Sequence, residues 1–155
     1  MRRTIDLIVV HCSATPPSMD VGAAEIHRWH LDRGWRDIGY HAVVRRDGTV
    51  EAGRPLDQAG AHVRGHNKHS LGICLIGGVD QHGRPEANFT GPQLRAAALW
   101  ALARQSENPG AQIFGHRDLD PHKACPSFDV GPWIELTRQH LIEEAADEDP
   151  PGGTI

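Results

Sequence analysis

Short apolar runs alternate along this chain with longer segments of helical periodicity. Runs rich in β-branched and aliphatic residues predict buried strands at 5–12, 70–76 and 112–115. Apolar residues at helical spacing predict helices at 21–33, 94–105 and 132–144. Because strands and helices interleave, we expect a single α/β domain with a central mixed β-sheet flanked by helices.

The middle of the chain contains a turn signal and then a segment without periodicity. Asp47-Gly48 separates two alternating stretches, 40–46 and 49–52, and predicts a β-hairpin. Residues 53–69 are rich in Gly and His and show no apolar repeat, so we expect a long loop that lines a site.

Local signals also define the helix near residue 94 and the end of the domain. Thr90 and Gln93 have the spacing of a capping box, which predicts a helix N-terminus. The last segment is acidic and ends in Pro, Gly and Thr residues, which is typical of disorder. We therefore assign 1–142 to the catalytic domain and 143–155 to a disordered tail.

Composition narrows the class of protein. A chain of 155 residues, 39% hydrophobic and 23% charged, matches one globular domain, and we expect a monomer. The net charge of −4 argues against a nucleic-acid partner bound by phosphate neutralisation. The apolar run 7–10 is too short for a signal peptide or a membrane span, so we expect a cytoplasmic location without membrane insertion. Three cysteines form no disulfide framework, which favours thiol or metal chemistry.

Three potential metal ligands lie at the ends of predicted strands or in the loop that follows the last strand. His11 closes the first strand, His116 follows the last strand, and Cys125 lies in the next loop. Two imidazoles and a thiolate can hold zinc and leave a fourth position for water, whose pKa zinc lowers to about 7. This set predicts a metal hydrolase acting on an amide or ester. The alternatives are a core histidine at 11, and a buried or nucleophilic thiol at 125 paired with His116.

Five motifs in matching order resemble the zinc-dependent N-acetylmuramoyl-L-alanine amidase family (amidase type 2). They lie at 9–15, 37–41, 46–54, 69–78 and 123–129. The family includes phage endolysins and peptidoglycan recognition proteins. The resemblance extends from about Ile8 to Trp133 and is strongest to the amidase-type lysozymes of short-tailed coliphages.

This resemblance implies an activity, a cofactor and a site. The activity is hydrolysis of the amide between N-acetylmuramic acid and L-alanine in peptidoglycan, by a phage or prophage endolysin held in the host cytoplasm until it is released to the cell wall. One Zn²⁺ is bound by His11, His116 and Cys125. Tyr40 and Lys123 are the implied catalytic pair, donating to the oxyanion and relaying a proton to the leaving amine. Which of the two transfers the proton stays open, as do the alternatives of a core tyrosine and a solvated lysine.

Other residues carry weaker expectations. His62, Asn67 and Trp35 are candidate substrate-binding residues because they lie in loops expected to border the site. His122 is an additional residue relative to the family pattern, and it is a candidate to compete as a ligand or to contact a ligand. Arg54 is expected on a solvated edge or facing an anionic cell wall.

Three alternative functions have distinct signatures. A cytoplasmic amidase of muropeptide recycling would cut only soluble fragments. A non-catalytic peptidoglycan-binding protein would lack the ligand cysteine, which this chain has at Cys125. A regulator that binds a phage RNA polymerase would resemble the coliphage relatives, but the short arm before His11 argues against that partner.

Overall fold

The computed structural model of the chain describes residues 3–148 and confirms the predicted mixed sheet flanked by helices. A short 3₁₀ turn, Asn67–His69, precedes the fourth strand. The elements in chain order are β1 (Leu7–Cys12), α1 (Ala23–Asp32), β2 (Ala42–Val44), β3 (Val50–Ala52), β4 (Ser70–Leu75), α2 (Gly91–Glu107), β5 (Gln112–Gly115), α3 (His116–Leu119) and α4 (Val130–Asp147).

The sheet has the strand order β3-β2-β4-β1-β5. Strand β1 runs parallel to both β4 and β5, β2 runs parallel to β4, and only β3 is antiparallel to its neighbour. In the β1–β4 register His11 lies opposite Cys74. Because parallel strands end at the same edge of a sheet, the residues that leave β1 and β5 start from neighbouring positions.

The two faces of the sheet are covered by different helices. Side chains alternate between faces along a strand, so Ile8 and Val10 of β1 pack with α2 and α4, whereas His11 points to the opposite face. On that side α1 contributes Ile26 to a smaller core with Val43 of β2. His11 is therefore directed away from the larger core and towards the face where a site can open.

Two of the predicted local signals have the expected geometry. Gly48 has a φ of +91°, and its amide donates to the Arg45 carbonyl at 2.9 Å, as a tight hairpin turn requires. Thr90 Oγ1 accepts from the Gln93 amide at 3.1 Å, and Gln93 Oε1 accepts from the Thr90 amide at 3.0 Å. Both orphan amides at the start of α2 are thus satisfied, which confirms the capping box.

The ends of several elements differ from the predictions. Helix α4 continues to Asp147, so residues 143–147 of the segment predicted as disordered are helical, and Arg95 of α2 pairs with Glu144 at 3.3 Å. Residues 149–155 of that predicted tail lie outside the described residues. The one-turn helix α3 was not predicted, because four residues are too few to show a period. Within residues 3–148, no helix is both long enough and apolar enough to span a bilayer.

Candidate active site

The three predicted metal ligands converge at the carboxyl edge of the sheet. One ligand atom from each of His11, His116 and Cys125 lies within 4.8 Å of the others. His11 is only 1% exposed near the end of the central strand β1, and His116 follows β5 directly. Neighbouring parallel strands therefore bring together two residues that are far apart in the sequence.

The loop after α3 returns Cys125 to the two histidines. The Arg117 amide donates to the Cys125 carbonyl at 2.8 Å, which folds the loop back on its own start. The Cys12 amide donates to Cys125 Sγ at 3.1 Å. An amide that donates to a thiolate stabilises its negative charge, so this contact favours the form of Cys125 that binds metals.

The spacing of the donor atoms fits a tetrahedral ion. His11 Nδ1 lies 3.8 Å from Cys125 Sγ. Usual zinc–nitrogen and zinc–sulfur bond lengths at a tetrahedral angle predict about 3.6 Å for such a pair. The other nitrogen of His11, Nε2, lies 2.8 Å from His62 Nδ1. Nδ1 is therefore the nitrogen of His11 that faces the candidate metal position.

The protonation states of the two histidines suit metal binding. Burial lowers the pKa of His11 well below its ordinary value, and His62 and His116 lower it further. Burial also lowers the pKa of His116, so both rings are neutral and have a lone pair for a metal. The neighbouring Cys12 thiol and burial raise the pKa of Cys125, and a cation bound beside the sulfur would favour its thiolate.

A cleft of about 530 Å³ opens over these three residues. Tyr40 lines it, with its ring centroid 5.1 Å from that of His11. Burial raises the pKa of Tyr40 well above its ordinary value, and the nearby thiols of Cys74, Cys125 and Cys12 raise it further. The Tyr40 hydroxyl therefore keeps its proton at neutral pH and is available as a donor.

Lys123 is exposed and also lines the cleft. Its amide donates to the Asp120 carbonyl at 3.0 Å, so a turn fixes the backbone at Lys123. The neighbouring His122 is exposed, and among residues 3–148 it does not belong to the group of converging ligand atoms.

The three candidate substrate residues all line the cleft. The exposed Trp35 packs its ring on His30, with centroids 4.5 Å apart. Asn67 Oδ1 accepts from the amides of His62 and Val63 at 2.9 and 3.0 Å, so the Asn67 side chain also holds the loop. Their roles towards substrate stay predictions.

Sequence reasoning missed some features of this region. It did not detect the contact of His62 with His11, because a loop without periodicity gives no spatial register. It also did not single out Arg33 and Arg64, which line the cleft. The expectation for Arg54 is wrong: this residue is 5% exposed, and its guanidinium donates to the carbonyls of Ile38 and Ala59 inside the protein.

Comparison with known proteins agrees with this geometry. The family model described as N-acetylmuramoyl-L-alanine amidase matches residues 1–128. The endolysin of Klebsiella phage KP32 is 51% identical over 134 residues, which cover 86% of this chain and 88% of that protein. The endolysin of Escherichia phage T7 is 46% identical over 134 residues, with the same coverage of both chains.

A solved structure shows the same fold. The N-acetylmuramoyl-L-alanine amidase LysC from Clostridium intestinale URNW superposes with a TM-score of 0.74 at 24% identity, covering 90% of this chain and 87% of that chain. The family that the five sequence motifs resemble is thus matched by the family model, by phage relatives and by the fold. The chain belongs to the N-acetylmuramoyl-L-alanine amidase family.

Proposed function

We propose that this chain is a zinc-dependent amidase that cuts peptidoglycan between N-acetylmuramic acid and L-alanine, and that it serves as a phage or prophage endolysin. The amidase activity follows from its family, and the endolysin role is supported by phage endolysins that are 46–51% identical. The observation that carries the proposal is the convergence of His11, His116 and Cys125 below an open cleft.

Zinc fits this donor set better than magnesium or calcium does. Two neutral imidazoles and a thiolate are ligands of borderline softness, which magnesium and calcium do not prefer. When bound, zinc polarises a carbonyl oxygen and lowers the pKa of a water molecule to about 7. His11, His116 and Cys125 would hold the ion, and three protein ligands leave the fourth position open towards the cleft.

Tyr40 and Lys123 would stabilise the charge that develops on the substrate. Attack on the lactyl carbonyl places negative charge on its oxygen, and donors already in place cost no reorganisation at that moment. The Tyr40 hydroxyl holds its proton because burial raises its pKa, and Lys123 lines the same cleft. One of the two donors also protonates the departing L-alanine amine.

The walls of the cleft suit an extended glycan and peptide. Trp35 presents an exposed ring in the wall of the cleft. Asn67 holds its loop through Oδ1, which leaves the side-chain nitrogen available as a donor. We propose that both residues contact the substrate.

The function is tested by incubating the purified protein with bacterial sacculi and counting newly exposed L-alanine amino groups. We expect release by the zinc-loaded protein, loss of release after treatment with a chelator, and recovery when zinc is returned. Cys125→Ser provides a matched protein without the thiolate. Release that is absent with zinc, or unchanged after zinc removal, would refute the proposal.

The same assay separates an endolysin from an amidase of muropeptide recycling. We expect intact sacculi to be cut, because the cleft is open at the protein surface. Cleavage of soluble muropeptides without cleavage of sacculi would assign the recycling role instead.

A further inference from the structure

We infer that His62 is a positioning residue that sets the tautomer of His11, so that His11 Nδ1 is left free to bind the metal. The inference rests on the proposed zinc function. His62 lies in the loop between β3 and β4, and its role predicted from the sequence was contact with substrate.

The geometry forms a chain of three side chains. His11 Nε2 lies 2.8 Å from His62 Nδ1, with the two rings at 88° and their centroids 4.9 Å apart. His62 Nε2 lies 3.2 Å from the hydroxyl oxygen of Ser70, which is fully buried at the start of β4. The outer end of the chain is therefore anchored in the sheet.

Only one arrangement of protons in this chain is compatible with a metal at His11 Nδ1. A neutral imidazole carries a single N–H, so a metal at Nδ1 requires the hydrogen at Nε2. That hydrogen must be donated to His62 Nδ1, which places the hydrogen of His62 on its own Nε2, directed at Ser70. In the reverse arrangement His62 donates to His11 Nε2, the hydrogen of His11 lies on Nδ1, and metal binding is blocked.

The surrounding structure is built to hold the His62 ring in this place. A β-carbon at Gly72 would lie 2.6 Å from two atoms of the His62 ring, so β4 can accommodate the ring only with glycine there. On the other side, Asn67 Oδ1 accepts from the His62 amide at 2.9 Å. A ring fixed by both the sheet and its own loop can orient a ligand with little loss of entropy on metal binding.

The nearby His41 does not share this role. Its Nδ1 accepts from the Gly72 amide at 3.0 Å, and its Nε2 lies 2.8 Å from the Gln58 carbonyl. Both nitrogens of His41 are thus engaged with the backbone, whereas those of His62 connect the metal ligand to Ser70.

Amide side chains can test the acceptor directly. Asparagine places its Oδ1 near the position of Nδ1, so His62→Asn keeps an acceptor for His11. In His62→Gln the amide reaches the position of Nε2 and the acceptor beside His11 is lost, as it is in His62→Ala. Zinc affinity is measured by competition with a chromophoric chelator, and the fold is checked by circular dichroism. His66→Asn and His66→Gln are matched controls in the same loop, since the His66 ring packs on His69.

We expect His62→Gln and His62→Ala to bind zinc about 10- to 100-fold more weakly, whereas His62→Asn and both His66 variants stay close to the native protein. Native affinity in folded His62→Gln or His62→Ala would overturn the inference. So would a folded His62→Asn that binds as weakly as His62→Ala. A native protein that binds no zinc would refute the proposed function, and the inference with it.

A second measurement needs no variant and holds even if the substitutions prevent folding. Long-range ¹H–¹⁵N spectra of the zinc-loaded native protein report which nitrogen of each histidine carries hydrogen. We expect hydrogen on Nε2 of both His11 and His62. Hydrogen on His62 Nδ1 would overturn the inference.

Discussion

The backbone amide of Cys12 donates to the sulfur of Cys125 at 3.1 Å, across 113 residues of sequence. Cys12 directly follows His11 in β1, so one strand supplies both a candidate ligand and a hydrogen bond to another candidate ligand. Because β1 is a central strand and Cys12 lies opposite Leu75 of β4, the sheet holds this amide in place without a metal. The site is thus preorganised by the sheet.

Replacement of the thiolate should remove the metal. Cys125→Ser replaces a soft ligand with a hydroxyl that is not ionised at neutral pH. We therefore expect zinc affinity to fall by more than about 100-fold, which exceeds the loss expected for the His62 variants. Zinc content after dialysis measures this loss. Cys74→Ala removes a thiol that is buried in the smaller core and is not one of the three converging ligands, so this variant should retain its zinc. Equal zinc content in both variants would contradict the ligand assignment.

Lys123→Met should separate metal binding from catalysis. The substitution removes the ammonium while keeping an unbranched chain, so we expect kcat to fall about 10²- to 10³-fold with unchanged zinc content. Lys123 is exposed, and the free energy of unfolding should change by less than about 0.5 kcal/mol. Lys68→Met is the control, because Lys68 is exposed and does not line the cleft. Full activity of Lys123→Met would show that the lysine is only a solvated loop residue.

Tyr40→Phe tests the second proposed donor by deleting a single oxygen. The ring and its packing near His11 remain, so we expect zinc affinity to be kept and kcat to fall about 10²-fold or more. The measurement is kcat at saturating peptidoglycan fragment, beside the zinc affinity of the same preparation. If kcat stays at the native value, Tyr40 is a core aromatic residue without a catalytic role.

His41 should make the protein sensitive to mild acid. Burial lowers the pKa of His41 to about 4, and its Nδ1 accepts from the Gly72 amide. Between pH 6.5 and pH 4 the unfolded chain binds a proton at this residue that the folded chain does not, so stability falls as the pH is lowered. For a pKa of about 6.5 in the unfolded chain, His41 alone should cost about 2 kcal/mol between pH 6.5 and pH 4.5.

Urea unfolding of the chelator-treated protein at the two pH values measures this loss. His41→Asn retains an acceptor for Gly72 but cannot titrate, so its loss between the two pH values should be smaller by about 2 kcal/mol. His82→Asn, at an exposed site, should lose as much stability as the native protein. An unchanged loss in His41→Asn would contradict the assignment.

Much of the fold follows from local patterns that each concern a few neighbouring residues. The apolar run around Val9 and the capping pair Thr90 and Gln93 are examples, because strand burial and helix capping depend on short-range sequence. The outer limit of α4 was missed, since an acidic surface helix with few apolar positions is hard to distinguish from a solvated tail. The pairing of Arg95 with Glu144 links residues that sequence periodicity does not relate.

The sequence indicated which residues form the candidate site, but it did not indicate which atoms of those residues face one another. Strand ends and motif order indicated His11, His116 and Cys125, whose convergence is now seen. The nitrogen of His11 that faces the candidate metal position depends on where a loop without periodicity places His62. Such placement is decided by packing against Gly72, which adjacent sequence does not encode.

The position of β1 between β4 and β5 also has a consequence for biosynthesis. His11 leaves the ribosome early, whereas His116 and Cys125 emerge only when most of the chain has been made, and β5 can pair with β1 only after that. A nascent or prematurely terminated product that lacks the second half of the chain lacks His116 and Cys125, and so cannot assemble the three candidate ligand atoms. If these residues hold the metal as proposed, we expect metal binding only after translation has passed Cys125 and β5 has paired with β1, and we expect shorter fragments to lack activity.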